Sequence, residues 1–137
     1  MGSMKLKVLV VEDSRTVRHM LVHLINQTPD MQVIGEAADG SEALDLTTKL
    51  GPDVILMDVV MPHMDGLEAT RQIMQTRPTP IVLISATLGS SETDIAFKAI
   101  KVGALTVLQK PSSGNAQENA SLLSTVKAMA GVRVIHH

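Results

Sequence analysis

The sequence is poor in the residues that build disulfide frameworks and aromatic binding surfaces. It has no cysteine, tryptophan or tyrosine, and Phe97 is its single aromatic residue. The absence of cysteine excludes disulfide bonds and thiolate metal sites. The lack of rings argues against stacking on nucleic-acid bases or on a flavin. No apolar run approaches the ~18 residues of a membrane-spanning helix.

Charge and length narrow the functional classes further. Lys and Arg number 12 against 14 Asp and Glu, which gives a net charge of −2. This near-neutral balance lacks the excess of positive charge that proteins use to bind nucleic acid or an anionic membrane. The 137 residues match the size of roughly one domain. We therefore expect one compact cytoplasmic domain that contacts neither nucleic acid nor membrane.

The two ends of the chain stand apart from the rest. Residues 1–3 have the character of a vector-derived remnant, so the domain is expected at residues 4–130. The apolar tail at residues 131–137 has no partner in the pattern, and we interpret it as the start of a linker or tail. Whether its terminal histidines belong to a tag or to the natural chain stays open.

Between these ends, short apolar runs of β type alternate with segments whose apolar residues recur at helical spacing. The predicted strands cover residues 6–11, 32–37, 54–58, 80–85 and 106–109. Three predicted helices cover residues 15–26, 42–50 and 92–102. Another follows the third strand and bears Leu67, Ile73 and Met74. The last follows a predicted loop at 111–119 and bears Leu122, Leu123, Val126 and Met129. This alternation predicts an α/β fold, a doubly wound five-stranded parallel sheet with helices on both faces.

Ionisable residues come directly at the ends of three predicted strands. Glu12 and Asp13 follow the first strand, Asp58 ends the third, and Lys110 follows the fifth. Because the carboxyl ends of parallel strands open onto one edge of a sheet, we expect these side chains to meet there. Carboxylates held that close need a cation between them, so the pattern predicts a hard divalent metal and phosphoryl chemistry.

Each of these residues taken alone has a plainer interpretation. Asp13 could cap a helix, Asp58 could form a turn, and Lys110 could be a solvated charge. Independent strand ends rarely supply three acids and one base, so their joint register favours a functional site. His19 and His23 lie one helical turn apart without an evident third ligand, and we interpret them as a solvated helix face.

Several short motifs accompany the acidic residues and resemble the receiver domain of bacterial two-component response regulators. They are Met61-Pro62-x-Met64-Asp65-Gly66, Ser85 at the end of the fourth strand, and Lys110-Pro111. The likeness covers essentially residues 5–130 and implies the flavodoxin-like strand order 2-1-3-4-5. Within the family the chain is most similar to the regulatory domain of chemotaxis protein-glutamate methylesterases, through residues 58–67, Ser85-Ala86-Thr87, Gly103-Ala104 and a Lys110-Pro111 pair without the usual following phenylalanine.

The resemblance implies how the acidic residues act. Asp58 is the expected phosphoacceptor, which forms an acyl phosphate. Asp13, Asp58 and the backbone carbonyl of Val60 are the expected ligands of Mg²⁺, and Glu12 is expected to hold one of the metal's waters. The metal site and the phosphoacceptor therefore share one carboxylate.

The resemblance also assigns the residues around the phosphoryl group. Lys110 and Ser85 are expected to contact its oxygens, while Val60 and Thr87 are expected to tune how readily water attacks the aspartyl phosphate. The Lys110–Pro111 bond is cis in the family, which would fix the direction of the lysine.

The resemblance implies partners as well as residues. The expected phosphodonor is the phosphohistidine of a histidine kinase, and the expected recipient of the signal is an output domain or partner protein. The chain itself is expected to catalyse only its own phosphorylation and dephosphorylation. The alternatives to a methylesterase regulatory domain are a stand-alone chemotaxis-type receiver and the receiver of a DNA-binding regulator.

One position departs from the family pattern. Many receivers place Tyr or Phe three positions before the lysine, whereas this chain has Val107. A rotating ring is excluded there, so output is expected to rely on Ser85 and on the loop and helix after it. Phe97 in that helix is either a surface anchor or a core residue.

Two other protein classes share the predicted architecture. A small Mg-dependent phosphatase of the haloacid dehalogenase type also uses an aspartate at a strand end, but it carries a second aspartate two positions later, where this chain has Val60. A flavodoxin needs a phosphate-binding loop after the first strand, and Glu12 and Asp13 would repel that phosphate. Both classes therefore fit less well than a receiver.

Overall fold

A computed structural model describes residues 4–86, 92–112 and 114–134. Within that part of the chain five strands alternate with five helices. The strands are β1 (Leu6–Val11), β2 (Met31–Ala37), β3 (Val54–Asp58), β4 (Ile81–Ser85) and β5 (Thr106–Gln109). The helices are α1 (Arg15–Asn26), α2 (Gly40–Leu50), α3 (Gly66–Thr76), α4 (Glu92–Val102) and α5 (Ala116–Met129). The strands form one sheet in the order β2-β1-β3-β4-β5, with every pair parallel. The predicted fold class and strand order are confirmed.

The two faces of the sheet bury alternate residues of each strand. Leu9 and Ile55 belong to the apolar cluster under α2, α3 and α4, whereas Val8 and Leu56 belong to the cluster under α1 and α5. Because successive side chains of a strand point to opposite faces, a strand covered on both faces must be apolar at nearly every position. The continuous apolar runs of β1, β3 and β4 meet this demand, and all three strands are central in the sheet.

Side-chain caps determine where most of the helices begin. Ser14 rather than Asp13 caps α1 and accepts a hydrogen bond from the Val17 amide at 3.3 Å, which leaves the Asp13 carboxylate for the site. Asn115 caps α5 and accepts from the Glu118 amide at 2.9 Å. The predicted loop at 111–119 was therefore too long, because a cap near the end of a polar segment lets the helix start within it. The structure likewise begins α2 at Gly40, two residues earlier than predicted.

Gly66 brings the start of α3 against the end of β3. Its amide donates to the Val59 carbonyl at 2.8 Å. A Cβ atom at this position would lie 2.3 Å from the Asp58 carbonyl oxygen and 2.9 Å from the Val59 Cα, both of which are backbone atoms that cannot rotate away. Only glycine permits this approach, which holds the backbone that carries Asp58.

The segment after α5 folds back on the domain. The Val132 amide donates to the Met129 carbonyl, and the half-buried Val134 packs against the cluster under α2, α3 and α4. The sequence pattern showed no partner for this tail, and the structure provides one for Val134; periodicity reports only regular elements. In the part of the chain that the structure describes, every helix is too short or too polar to cross a membrane.

Candidate functional site

The acidic residues and the lysine meet at the carboxyl edge of the sheet. Carboxylate oxygens of Glu12, Asp13 and Asp58 all lie within 4.8 Å of one another. β1 and β3 are neighbours in the sheet, which brings the residues after Val11 beside Asp58. Lys110 follows β5 and reaches back across β4 to the same point. The convergence that the sequence predicted is therefore present.

Lys110 joins the two buried carboxylates. Its Nζ lies 2.9 Å from Asp58 Oδ2 and 2.8 Å from Glu12 Oε1. Burial by itself would lower the pKa of Lys110, but the close contacts with Glu12 and Asp58 outweigh burial, so this pKa lies above its ordinary value. The lysine is consequently a fixed positive charge whose position is held by two acids.

Glu12 is fully buried, which is unusual for a carboxylate. Burial raises the pKa of Glu12 to about 7, with a further rise from the Asp58 charge, while Lys110 and the Ser14 amide oppose the shift. Oε2 accepts a hydrogen bond from the Ser14 amide at 2.9 Å. Oε1 forms an ion pair with Lys110, although the two groups are not aligned as in a hydrogen bond. No other group among the described residues donates a hydrogen bond to this buried oxygen.

Asp58 lies at the floor of an open depression. The residue is 3% exposed, and its Oδ1 accepts a long hydrogen bond of 3.4 Å from the Val60 amide. The depression has a volume of about 320 Å³ and is lined by Asp13, Asp58, Val60, Ala86 and Lys110. Since one water occupies roughly 30 Å³ in the liquid, this space is large enough for a group of several heavy atoms.

The remaining residues that were predicted for the site differ in how far the structure describes them. Ser85 is fully buried at the carboxyl end of β4, and its carbonyl accepts from the Lys110 amide at 2.9 Å. Val60 is 67% exposed at the rim. Thr87 lies outside the described residues, so its predicted role stays a prediction.

One detail that the resemblance implied is wrong here. The Lys110–Pro111 bond is trans, as are all the other peptide bonds of the described chain. In this geometry the direction of the lysine is maintained by its ion pairs with Glu12 and Asp58 and by the bond from its amide to Ser85.

The structure also decides several open alternatives. Phe97 is 68% exposed, so the core interpretation of this residue is wrong and its role as a surface anchor stays a prediction. Val107 is half-buried and packs against the apolar cluster under α2, α3 and α4. His19 and His23 are exposed, as a solvated helix face requires.

Two residues that support the site were missed from the sequence. Arg18 of α1 donates to the Glu12 carbonyl at 2.8 Å and thereby restrains the acidic pair. Gln109 donates from its side chain to the Ala86 carbonyl at 3.2 Å. Neither residue carries a signal that apolar periodicity reports: the contact of Arg18 depends on the geometry of the turn between β1 and α1, and that of Gln109 spans 23 positions of the chain.

Residues 8–120 match the family model of the response regulator receiver domain. A protein-glutamate methylesterase/protein-glutamine glutaminase of Syntrophus aciditrophicus is 46% identical over 133 residues, which is 95% of this chain and 38% of that protein. One from Pyrococcus horikoshii is 47% identical over 109 residues, which is 80% of this chain and 29% of that protein.

Solved structures give a consistent picture. The response regulator domain of Thermotoga maritima CheB matches with a TM-score of 0.87 and 35% identity over 94% of this chain and 98% of that one. A two-component response regulator of the LuxR family from Aurantimonas matches with a TM-score of 0.82 and 30% identity, over 96% of this chain and 89% of that one. The chain spans about 38% of the length of the first methylesterases that it matches.

Proposed function

Because this chain belongs to the response regulator receiver domain family, we propose that Asp58 is its phosphoacceptor and that a histidine kinase is its phosphodonor. The observation that carries the proposal is the contact of 2.9 Å between Asp58 Oδ2 and Lys110 Nζ at the floor of an open depression. It places a nucleophilic oxygen beside a fixed positive charge, and transfer of a phosphoryl group needs both.

The proposed step is a displacement at phosphorus. A carboxylate oxygen of Asp58 forms the new P–O bond while the bond from phosphorus to the donor's imidazole nitrogen breaks. The nitrogen leaves with the bonding electron pair, and the product is an acyl phosphate on Asp58. Lys110 offsets the negative charge on the transferring oxygens, and its position needs no rearrangement because Glu12 and Asp58 already hold it.

The same cluster suits a divalent cation, which we propose to be Mg²⁺. Asp13, Asp58 and the Val60 carbonyl would hold it, and Glu12 would bind one of its waters. Two observations support this fit: the carboxylate oxygens lie within 4.8 Å of one another, and the buried Glu12 Oε1 has an ion pair with Lys110 but no well-aligned hydrogen bond among the described residues. The bound cation supplies positive charge to oxygens that become more negative during transfer.

Ser85, Val60 and Thr87 complete the proposed site. Ser85 would contribute its hydroxyl to a phosphoryl oxygen from the end of β4, next to the strand that carries Asp58. Val60 stands at the exposed rim, where an apolar side chain limits the approach of water to the acyl phosphate. Thr87 keeps the modulating role that its sequence position suggests.

We further propose that the output is a methylesterase domain on a longer natural chain, which acts in the cytoplasm with its kinase. Relatives that are 46% identical over nearly the whole of this chain carry that activity in their names and are more than twice as long. Phosphorylation would shift the population of an interdomain contact set and expose the esterase site. The chain described here would itself catalyse only its own phosphorylation and dephosphorylation.

Incubation with acetyl phosphate and Mg²⁺, followed by intact-mass measurement, tests the central proposal. We expect the wild-type chain to gain one phosphoryl group and Asp58→Asn to gain none. Asp45→Asn is the matched control, because Asp45 is an exposed aspartate on α2 that pairs with Lys49 far from the depression. Equal labelling of Asp58→Asn and the wild-type chain would overturn the assignment of Asp58.

A further inference from the structure

Gln109, the last residue of β5, contacts two surfaces at once. Its Nε2 donates to the Ala86 carbonyl at 3.2 Å, and Ala86 lines the depression around Asp58. Gln109 also lines a groove of about 310 Å³ between β5 and the first half of α5, together with Leu108, Asn115, Gln117, Glu118, Ser121 and Leu122. This side chain therefore links the wall of the site to a second surface.

The hydrogen bond from Gln109 extends the sheet beyond its last backbone pairing. Ser85 of β4 lies opposite Gln109 of β5, and the Lys110 amide bonds to the Ser85 carbonyl. The side-chain amide of Gln109 then adds one more link, to the next residue of the chain after β4. A carbonyl held in this way cannot move without breaking the bond or displacing Gln109 with it.

Val107, two positions before Gln109 in β5, does not provide such a link. Val107 has no ring that could turn, and it already packs against the apolar cluster under α2, α3 and α4. A change at Ala86 can nevertheless reach the other side of β5 through the amide of Gln109. The contact is exposed and of ordinary length, so it can form in one state of the site and break in another.

We infer that Gln109 is a positioning residue that couples occupancy of the Asp58 site to the groove between β5 and α5 through its hydrogen bond to Ala86. The inference rests on the proposed function, since it takes a phosphoryl group on Asp58 as the event that is transmitted. Coupling requires a contact that differs between the site with and without a phosphoryl group and that involves a residue of the groove. The bond from Gln109 to Ala86 is that contact.

Amide NMR spectra with Mg²⁺, recorded with and without beryllium fluoride as a tetrahedral phosphoryl mimic, test this inference. In the wild-type chain we expect the amide of Val60 at the site and the amides of Ser121 and Leu122 in the groove all to shift on addition of the mimic. In Gln109→Met, which keeps the length of the side chain but removes the donor, the Val60 shift should remain while the groove shifts are lost. Gln109→Arg restores an N–H donor and should restore them.

Gln117→Met is the matched control, because Gln117 is an exposed glutamine of the same groove. It should respond like the wild-type chain. Groove shifts that persist undiminished in Gln109→Met, or that are absent from the wild-type chain while Val60 responds, would overturn the inference. A wild-type chain in which Val60 itself fails to respond would instead count against the proposed phosphoacceptor site.

Discussion

Replacing Glu12 with glutamine probes the charge balance of the site directly. Glu12 is fully buried, and its pKa of about 7 lies above the ordinary value of 4.5. Between these two pH values the folded protein keeps a proton that the unfolded chain has lost. The contribution of Glu12 to stability therefore falls as the pH rises through this window and stays low above it. Glutamine resembles the protonated acid at every pH, so Glu12→Gln should escape this loss.

The size of the effect follows from the two pKa values. At ~1.4 kcal/mol for each tenfold change in proton affinity, the gap between them corresponds to about 3 kcal/mol. In the absence of divalent metal, Glu12→Gln should be more stable than the wild-type chain by about that amount at pH 8, and by little near pH 4. For a domain of this size the gain at pH 8 is a rise in Tm on the order of 10 °C.

Thermal unfolding in EDTA at a series of pH values measures this difference. Asp45→Asn serves as the control, because an exposed ion pair contributes little to stability and gives no comparable trend with pH. A Glu12→Gln variant that is less stable than the wild-type chain at pH 8, or whose gain does not shrink as the pH falls, would refute the reasoning. Addition of Mg²⁺ should reduce the advantage of the variant, since the metal favours the ionised acid that glutamine lacks.

Two further predictions concern the metal and the backbone under the site. Mg²⁺ should raise the Tm of the wild-type chain by mass action, and Asp13→Ala should remove most of that rise. Calorimetry at increasing Mg²⁺ concentration measures the rise. The same rise in Asp13→Ala as in the wild-type chain would mean that Asp13 is not a ligand. Gly66→Ala should destabilise the domain by roughly 2–3 kcal/mol in urea unfolding, because its Cβ would meet the Asp58 carbonyl oxygen at 2.3 Å. Gly131→Ala, whose Cβ would have its nearest neighbour at 3.8 Å, is the control, and equal losses in the two variants would contradict the steric argument.

The sequence by itself determined the architecture and the position of the candidate site. The apolar runs of β1, β3 and β4 are long enough and regular enough to be recognised as strands buried on both faces. A parallel sheet places all its carboxyl ends on one edge, so Asp58, the acidic pair before α1 and Lys110 had to converge. Their convergence is a consequence of strand direction and needs no detailed coordinates.

Sequence reasoning was weaker wherever the structure depends on features that apolar periodicity does not report. The start of α5 depends on the cap made by Asn115, and the polar composition of residues 111–119 concealed it. The packing of Val134 on the core and the trans geometry of the Lys110–Pro111 bond also left no pattern that periodicity could detect. The exposure of Phe97 depends on which side of α4 faces the sheet.

Only the tertiary structure decided the electrostatics and the couplings of the site. Glu12 and Asp13 are adjacent in the sequence, yet one is fully buried and the other exposed. The pKa of Glu12 depends first on how far the packed fold buries this carboxylate, and then on Lys110 after β5 and Asp58 of β3. The bond from Gln109 to Ala86 likewise exists only because β4 and β5 end side by side. The positions of the strands follow from local patterns, whereas burial and hydrogen bonding between distant residues are properties of the packed fold.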